Sequence, residues 1–398
     1  MEKYINASCY KMKVTQISVG RFHHFHLARQ MERLGLLENI YTGYPSFKLK
    51  DEQGIDKEKI KTFPWLHTPY MKRGKLGLDK LEWLNKEWEW LVKQSLDKFV
   101  ASKINHPTIL ISLSGFGLDS GKAAKKEGGF HICDRGSSHI RFQDKILREE
   151  YANWGFKFNG VDPRVIDKEE AEYDQADKIT IPSEFVRKSF IEMGVPAHKL
   201  KKIVYGARLD RFKKSAEPSS NVFRVLWVGN VSIRKGFMYA LEAFQKLNFS
   251  SKEFMVIGAV EPEIKELIRN HNLTGVTFAG VIDNSELPVA YSQAHVFLIA
   301  SLEEGLAMVQ GEALACGCPV IATTNTGAED LITDGKEGFI VPIRSAQAIA
   351  DRLQQLADEP ALRQSMSEAA IQKVKSIGGW DSYGTDFSQL FKEITFNN

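Results

Sequence analysis

The sequence predicts an α/β protein made of two doubly wound parallel sheets that face each other across a cleft. Short β-rich runs alternate with helical patterns along all 398 residues, and this alternation predicts parallel sheets covered by helices on both faces. A chain of this length exceeds the size at which one core usually keeps growing. The polar stretch 205–221, "YGARLDRFKKSAEPSSN", lacks periodicity and divides the chain into two similar halves.

The β-rich runs are short and mostly apolar. In the first half they are "KVTQISV" (13–19), "TILISLS" (108–114), "FHICD" (130–134) and "KITIPS" (178–183). In the second half they are "RVLWVG" (224–229), "EFMVIGA" (253–259), "VTFAGV" (276–281), "HVFLIAS" (295–301), "PVIAT" (319–323) and "GFIVP" (338–342). Doubly wound sheets bind ligands at the carboxyl ends of their strands, so we predict a ligand site in the cleft between two Rossmann-like domains.

Composition limits the partners and the cellular compartment. The formal charge of +3 is too small to indicate nucleic acid, so no nucleic-acid partner is expected. Cys9, Cys133, Cys316 and Cys318 are scattered, and we expect them to be reduced and structural because no second pair completes a zinc site. The first residues lack an apolar signal core and no run of 18 apolar residues occurs. We expect a cytoplasmic protein, with peripheral contact at the inner face of the membrane left open.

A glycine-rich turn follows the first strand of the second half. In "GNVSIRKGFMYALEAF", Gly229 and Gly236 bracket the turn, Arg234 and Lys235 supply two cations, and a helix follows at once. Backbone N–H groups and a positive helix end at such a turn attract an anion. The spacing matches neither the G-x-G-x-x-G fingerprint nor the phosphate loop of nucleotide hydrolases. We therefore interpret the turn as a phosphate site outside the classes of hydride carriers and ATPases.

Two glutamates flank the segment after the run 295–301, in "ASLEEGLAMVQGEALACGCPVIAT". On one helix, eight residues would separate Glu304 and Glu312 by about 12 Å, too far for an acid/base pair. We expect this helix to begin near Ala307, with Glu304 in the loop before it and Glu312 on its second turn. The N–H groups of Leu306, Ala307 and Met308 would then face the cleft.

A ligand that meets a carboxylate, a cluster of amides and a second carboxylate would carry hydroxyls at both ends and negative charge in the middle. A nucleoside diphosphate sugar has this order, because its two phosphates lie between a hexose and a ribose. Two solvated glutamates on a surface helix are the alternative explanation.

These motifs resemble those of the retaining glycosyltransferases of family 4, which have the GT-B fold of two Rossmann-like domains. Glu304 and Glu312 match the E-x7-E motif of that family, and "GNVSIRKG" is similar to its phosphate turn, with Lys235 in the lysine position. The segments "IPSEFVRKSFIEMGVP", "YGARLDRF", "GAEDLITDGKEGFIVP" and "GGWDSYGTDF" are also similar to family segments. The resemblance is strong over residues 178–398 and weaker before them.

The resemblance implies a domain order and a set of donor-binding residues. It implies an acceptor-binding domain over 1–206, a nucleotide-sugar-binding domain over 207–378 and a C-terminal helix, 379–398, that crosses back to the first domain. Asn230 takes the place of an arginine that many members carry, and Arg234 is the nearest substitute. The implied donor-binding residues are Gly20, Gly229, Asn230, Arg234, Lys235, Glu304, Gly305, Leu306, Ala307, Met308 and Glu312.

The resemblance also implies a mechanism. Retaining members are thought to react on one face of the sugar, where the departing phosphate oxygen helps to take the acceptor proton. Lys235, Gly20 and the amides near Ala307 would then stabilise the diphosphate charge. Glu304 would hold sugar hydroxyls and Glu312 the ribose. Because the chain contains no Asp-x-Asp motif, we expect no metal and no cofactor, with the nucleotide sugar as a co-substrate.

Three further candidates, Asp134, Arg135 and His139, lie at or just after the end of the run 130–134. His139 stands where family members often place a sugar-contacting histidine, which makes it a predicted catalytic residue together with Lys235 and Glu304. A helix-capping or surface histidine is the alternative. Asp134 and Arg135 could form an ordinary ion pair at the rim of the site.

A cluster of histidines, His23, His24 and His26, opens a predicted helix, and a metal site there is not favoured because partner ligands are lacking.

Tryptophans stand beside lysines in "LEWLNKEWEWLVKQSLDKF". We expect Trp83, Trp88 and Trp90 to pack in the core on one face of an amphipathic helix. A membrane-facing or acceptor-binding surface is the alternative.

The predicted function is a metal-independent hexosyltransferase. It would move a sugar from a nucleotide sugar to a saccharide or lipid-linked saccharide acceptor, in the synthesis of cell-surface polysaccharide or glycoconjugate. One alternative is a nucleotide-sugar epimerase of the same fold, which would need acid/base carboxylates around the sugar. The other is a non-catalytic protein that binds a nucleotide sugar.

Overall fold

The N-terminal half forms one parallel sheet of seven strands. The computed structural model describes residues 12–78, 81–206 and 211–396. Within them the sheet has the order β3-β2-β1-β4-β5-β6-β7. Its strands are β1 Lys13–Ser18, β2 Leu37–Thr42, β3 Ile60–Thr62, β4 Thr108–Leu113, β5 Phe130–Asp134, β6 Lys178–Ile181 and β7 Leu200–Lys202.

The second half forms a separate parallel sheet of six strands in the order β10-β9-β8-β11-β12-β13. Its strands are β8 Phe223–Val228, β9 Lys252–Ile257, β10 Val276–Gly280, β11 Val296–Ile299, β12 Val320–Thr323 and β13 Gly338–Val341. The change from one sheet to the other falls between Lys202 and Phe223. The predicted domain boundary lies in this stretch, and residues 207–210 are outside the described residues.

Helices cover the two sheets. In the first half they are α1 His23–Arg33, α2 His67–Lys72, α3 Glu82–Ala101, α4 Leu118–Lys126, α5 Ile140–Asn153, α6 Pro163–Gln175 and α7 Glu184–Glu192. After β8 they are α8 Phe237–Lys246, α9 Pro262–Leu267, α10 Leu287–Ser292, α11 Val309–Ala315, α12 Ala346–Asp358, α13 Pro360–Val374 and α14 Trp380–Phe396. In the described part of the chain, none of these helices has both the length and the apolar character that a membrane span requires.

Both faces of each sheet are buried. Because successive side chains of a strand point to opposite faces, neighbouring apolar residues pack into different clusters. In β8, Val225 and Trp227 pack into one apolar cluster and Leu226 packs into another on the opposite face. In β1, Val14 and Ile17 divide in the same way. The predicted class, two doubly wound parallel sheets, is therefore confirmed.

The sequence missed three strands, all in the N-terminal sheet. β3 and β7 have three residues each and lie at the two edges, where little apolar surface is buried. β2, "LENIYT", carries polar residues at its second and third positions, which hides its buried half. All six strands of the C-terminal sheet coincide with predicted runs, although most end one or two residues earlier.

The last helix, α14, packs on the N-terminal sheet although the chain has already passed through the second half. Tyr383, Phe387 and Leu390 are at most 1% exposed and join the apolar cluster that contains Val14. Lys201 of β7 also forms an ion pair of 2.7 Å with Glu393. Helix α14 therefore completes the apolar core of the N-terminal half.

The cysteines with described positions, Cys133, Cys316 and Cys318, are free and buried, and Cys9 lies outside the described residues.

We predict that Phe387→Ala lowers the free energy of unfolding by about 3 to 5 kcal/mol, because it opens a cavity in a fully buried core that the surrounding side chains can fill only in part. Equilibrium urea unfolding measures this change. The matched control is Phe396→Ala on the same helix, because Phe396 is 71% exposed and its loss should change the free energy by less than about 0.5 kcal/mol. Equal effects of the two substitutions would contradict the packing of α14.

Candidate functional site

The strand order reverses direction once in each sheet, between β1 and β4 and between β8 and β11. In doubly wound sheets, ligands bind outside the carboxyl ends of the strands at such a reversal. The chain after β8 and after β11 carries the turn 229–236 and the segment 302–308. These two segments are therefore the first candidates for a site.

The turn after β8 is fixed by close backbone contacts. The indole Nε1 of Trp227 donates to the carbonyl of Gly229 at 3.1 Å. Gly236 has φ of +70° and directly precedes α8, and a Cβ added there would lie 2.0 Å from the carbonyl oxygen of Ala300. The predicted helix start after Gly236 is thus confirmed, and Asn230 is exposed at the tip of the turn.

Two consecutive cations of this turn pair with two consecutive glutamates after β11. Lys235 Nζ forms an ion pair with Glu304 Oε1, and Arg234 Nη2 lies 2.8 Å from Glu303 Oε2. The side chains of Arg234 and Lys235 are 36% and 28% exposed. An anion can therefore reach both cations from solvent, although each is already held by a carboxylate.

Glu303 is a buried carboxylate that joins the two halves of the protein. Its side chain is 0% exposed, and its Oε1 accepts from the backbone N–H of Ser138 at 3.0 Å and from the Ser138 hydroxyl at 2.7 Å. Its Oε2 accepts from Gln143 at 2.9 Å. Burial raises the pKa of Glu303, but Arg234 and these hydrogen bonds outweigh burial and lower the pKa below its ordinary value.

Gly305 lets the two halves approach each other. A Cβ on Gly305 would lie 1.6 Å from the carbonyl oxygen of Gly136 in the first half, so only glycine fits this contact. The carbonyl of Gly305 accepts from the hydroxyl of Ser183 at 2.6 Å. The predicted donor-binding residue Gly305 therefore lies in the interface between the halves.

The segment before α11 differs from the prediction. α11 begins at Val309, two residues after the expected start, and Glu312 is in its first turn, not its second. The N–H of Ala307 donates to the carbonyl of Thr326 at 3.1 Å, so it does not serve as a free donor in the cleft. The reason is that Leu306 is 7% exposed and packs in the core, which holds this segment against the loop after β12.

Glu312 is half-buried and accepts from the hydroxyl of Tyr291 at 3.2 Å. Burial raises its pKa above the ordinary value. This carboxylate is neither fully solvated nor in contact with Glu304, and Met308 lies half-buried between them in the chain.

His139 caps a helix. It is the N-cap of α5, its Nδ1 accepts from the N–H of Arg141 at 3.2 Å, and its ring packs against Tyr173 and Phe190 at centroid distances of 5.1 and 5.0 Å. It is 2% exposed, and burial lowers its pKa to about 4. The capping alternative describes this position, and no contact supports the catalytic role, which stays a prediction.

Asp134 and Arg135 do not pair with each other, so the ion pair that the sequence left open at the rim does not form. Oδ2 of Asp134 lies 2.5 Å from Nε2 of His23 and 3.1 Å from Nε2 of His24. Arg135 turns the other way and forms an ion pair of 2.7 Å with Glu169. Successive side chains along a strand point to opposite faces of the sheet, and this separates the side chains of Asp134 and Arg135.

The histidine cluster therefore has a carboxylate partner that the sequence did not reveal. The ligand atoms of His23, His24 and Asp134 all lie within 4.8 Å of one another. A cation there would have to displace the contact between His23 and Asp134, and Oδ1 of Asp134 already accepts from Thr180 at 2.6 Å. His26 is not part of this group, because its ring stacks on Trp380 at 3.9 Å. The absence of a metal stays a prediction.

A cleft of about 780 Å³ opens at the carboxyl ends of β1, β4 and β5. Gly20 lies in its wall beside Phe22 and Tyr44, where a Cβ would be 3.1 Å from the Phe22 ring. Gly136 lines the same cleft and touches Gly305, so the cleft adjoins the segment that carries Glu304. Its other wall residues are Val19, Arg21, His23, His67, Tyr70, Met71, Glu89, Val92, Lys93, Leu113, Ser114, Phe116, Arg135, Ser137, Glu169 and Tyr205.

The tryptophans of α3 have different environments. Trp88 donates to the carbonyl of Leu66 at 3.2 Å and contacts the Tyr70 ring, whereas Arg164 lies 5.3 Å from the Trp90 ring centroid. Trp83 is 67% exposed, so the expected core packing is wrong for this residue.

Comparison with known proteins supports the fold, and a family model matches part of the chain. Residues 209–373 match the family model "Glycosyl transferases group 1". The sucrose-phosphate synthase of Thermosynechococcus elongatus superposes over 98% of this chain and all of that chain, with a TM-score of 0.70 and 20% identity. Anabaena Alr3699/HepE, in complex with UDP and glucose, superposes over 96% of this chain and all of that chain, with a TM-score of 0.67 and 17% identity. The fold is GT-B.

Relatives in sequence match a shorter region. An uncharacterized 41.2 kDa protein in the cps region of Klebsiella pneumoniae is 30% identical over 186 residues, which are 44% of this chain and 51% of that protein. The amylovoran biosynthesis glycosyltransferase AmsK of Erwinia amylovora is 29% identical over 183 residues, 43% of this chain and 45% of that protein. The matched segments thus span about half the length of these relatives.

Sequence reasoning missed Glu303 and the pair His23 and Asp134. Glu303 precedes Glu304 in "SLEEG". Two adjacent acidic residues after a strand are a signal that both could belong to the site. Nothing in the sequence joins His23 to Asp134, because 111 residues separate them.

We predict that Glu303→Gln destabilises the protein at pH 7 by about 1.5 to 3 kcal/mol, because the buried site loses its charged hydrogen bond to Arg234, whose own side chain is 36% exposed and stays partly solvated. The folded pKa of Glu303 is lowered, so its contribution to stability is present above the unfolded pKa of about 4.3 and is lost as the pH falls through the folded pKa. The difference between wild type and variant in the free energy of unfolding should therefore shrink below about pH 4. Urea unfolding at pH 7 and at about pH 3 measures it, with the exposed Glu217→Gln as control. A difference that does not depend on pH would reject the charged contact.

Proposed function

We propose that this protein is a glycosyltransferase that moves a sugar from a nucleoside diphosphate sugar to a saccharide or lipid-linked saccharide acceptor. The observation that carries the proposal is the pairing of Arg234 and Lys235 with Glu303 and Glu304 at the strand reversal of the C-terminal sheet. This turn lies inside the region that matches the model of group 1 glycosyltransferases.

The charges of the turn suit a diphosphate. Arg234 and Lys235 are two adjacent, partly exposed cations beside the N-terminal end of α8, and both kinds of group attract phosphate. When the diphosphate binds, Lys235 exchanges its contact with Glu304 for a phosphate oxygen. Glu304 is then free to accept from hydroxyls of the transferred sugar. Arg234 keeps its buried carboxylate partner, Glu303, and reaches the phosphates with its exposed edge.

Glu312 is proposed to bind the ribose. It lies on α11, which follows Glu304 in the chain, and its pKa is raised by burial. A hydroxyl from the ribose would add to the hydrogen bond from Tyr291 and satisfy a carboxylate that has lost part of its hydration.

We propose that the transfer retains the anomeric configuration of the sugar, needs no metal and follows the mechanism of the family 4 glycosyltransferases. Arg234 and Lys235 supply the positive charge that the departing diphosphate needs, and the acceptor proton passes to the departing phosphate oxygen. No protein nucleophile takes part in this scheme.

The acceptor is proposed to enter the cleft of the N-terminal half, because Gly136 in its wall touches Gly305 next to Glu304. A role in cell-surface polysaccharide synthesis is supported by the name of one relative, the amylovoran biosynthesis glycosyltransferase AmsK. We propose a cytoplasmic location, with the inner face of the membrane as the alternative site of the reaction.

A two-step experiment tests the function. UDP-, GDP- and ADP-sugars are first screened for an increase in the melting temperature, since a ligand that binds only the folded protein must stabilise it. The best donor is then incubated, with and without EDTA, with candidate saccharides, and the products are analysed by mass spectrometry and NMR. A new glycoside with the donor's anomeric configuration is expected in both conditions. An epimerised donor, or a donor that binds and stays unchanged with every acceptor, would reject glycosyl transfer.

We predict that Lys235→Ala lowers turnover about a hundredfold, because a preorganised charge at the leaving group contributes about 3 kcal/mol to the transition state. Steady-state kinetics with the best donor measures the change. Lys246→Ala, at the exposed end of the same helix, is the matched control and should leave turnover unchanged. An unchanged rate in a folded Lys235→Ala variant would remove this residue from the mechanism.

The two glutamates should affect different ligands. Glu312→Ala is expected to weaken the donor and the free nucleoside diphosphate alike, by about ten- to a hundredfold, because a hydrogen bond to a charged group contributes about 1.5 to 3 kcal/mol. Glu304→Ala should weaken the intact donor by a similar factor but should not weaken the free diphosphate, because Lys235 then no longer has to leave Glu304 to bind a phosphate oxygen. Calorimetry with both ligands measures this, with the exposed Glu368→Ala as control. If Glu304→Ala weakens the diphosphate as much as the donor, the separate roles are wrong.

A further inference from the structure

The cleft of the N-terminal half has an apolar wall that the proposed sugar chemistry does not use. Phe22, Tyr44, Tyr70, Met71, Val92 and Phe116 all line it. They come from the loops after β1, β2 and β4 and from helices α2 and α3. Its volume of about 780 Å³ is within the range of sites for small organic ligands, which are mostly apolar.

Part of this wall is exposed to solvent. Met71 is 62% exposed and Phe22 is 51% exposed, and Trp65, in the segment that leads into α2, is 75% exposed. Single exposed apolar side chains are normal, but an apolar cleft that continues into exposed apolar side chains marks a binding surface.

The charged groups of the cleft are already paired with one another or with neighbours. Arg135 and Lys93 lie 2.7 and 3.7 Å from carboxylate oxygens of Glu169, and Lys93 is also 3.9 Å from Glu89. Arg21 binds Glu52 at 2.6 Å. The cleft therefore offers no unpaired charge to an ionic head group among the wall residues named above, and its remaining surface favours hydrocarbon.

The polar end of the cleft is the end that meets the donor. His23, held by Asp134, lies in the wall together with Gly136 and Ser137, and Gly136 contacts Gly305. An acceptor in this cleft would place its hydroxyl beside the segment of Glu304 and its other end along the apolar wall.

We propose that the acceptor carries a hydrocarbon chain attached to its hydroxyl-bearing head, and that this chain occupies the apolar wall formed by Phe22, Tyr44, Tyr70, Met71, Val92 and Phe116. That the bound molecule is an acceptor rests on the proposed glycosyl transfer, but the binding of hydrocarbon in the cleft can be tested without any donor. It assigns the lipid-linked class of acceptor in preference to an all-hydrophilic saccharide.

The probes are methyl, butyl and octyl β-D-glucopyranoside, each below its micelle concentration, with binding measured by calorimetry. The affinity should rise by about two- to fourfold for each added methylene, because burial of one methylene contributes up to about that factor. Met71→Gln should lower the affinity for the octyl compound about threefold or more and leave the weak binding of the methyl compound unchanged. Met71 is exposed, so this change should not impair folding.

The matched control is Leu91→Gln on α3, because Leu91 is 51% exposed and is not among the wall residues. It should leave the affinity for the octyl compound unchanged. Equal affinities for the three glucosides would overturn the hydrocarbon site. An equal loss in the Met71 and Leu91 variants would overturn it as well, because binding would then be unspecific.

The two proposals fail separately. If the octyl compound does not bind but a hydrophilic saccharide is glycosylated, the hydrocarbon site is wrong and glycosyl transfer stands. If the octyl compound binds with the expected dependence on Met71 and no donor is ever consumed, the hydrocarbon site stands and the transfer is wrong.

Discussion

One buried carboxylate, Glu303, connects most of what is distinctive about this protein. It follows β11 in the C-terminal half, yet it accepts three hydrogen bonds from Ser138 and Gln143 in the N-terminal half. Its third partner is Arg234 of the turn after β8. A buried charge needs all of its partners, because an unpaired one would cost several kcal/mol. The same group therefore contributes both to the relative position of the two halves and to the arrangement of the cationic turn.

The reverse arrangement occurs on the other side of the interface. Glu150 of α5 is fully buried and accepts from Tyr239 at 2.7 Å and from Arg344 at 2.6 Å, both in the C-terminal half. Each half thus extends at least one buried carboxylate into the other. Such contacts define the orientation of the halves more than they add to stability. The result is that the strand reversals of both sheets open on one shared region, with Gly136 and Gly305 in contact at its centre.

Local sequence patterns predicted more of the structure in the C-terminal half than in the N-terminal half. Buried parallel strands appear in the sequence as continuous apolar runs, so the C-terminal sheet was predictable. The glycine turn and the position of Lys235 just before α8 were also predictable from the local sequence. The edge strands β3 and β7 bury too little to leave a pattern. The pairs of His23 with Asp134 and Ser138 with Glu303 join residues more than a hundred positions apart. No local rule reports such contacts, and the same limit explains why the amide of Ala307 was expected in the cleft and not on Thr326.

The central claim is that the turn after β8 and the end of β11 form a diphosphate site whose cations are held in advance by Glu303 and Glu304. The most direct test is a crystal structure with UDP, GDP or ADP, using the one that raises the melting temperature most. The account predicts phosphate oxygens within hydrogen-bonding distance of Lys235 Nζ and Arg234, a broken contact between Lys235 and Glu304, and Glu303 still bound to Ser138. A diphosphate bound elsewhere, with both ion pairs of the turn intact, would contradict it.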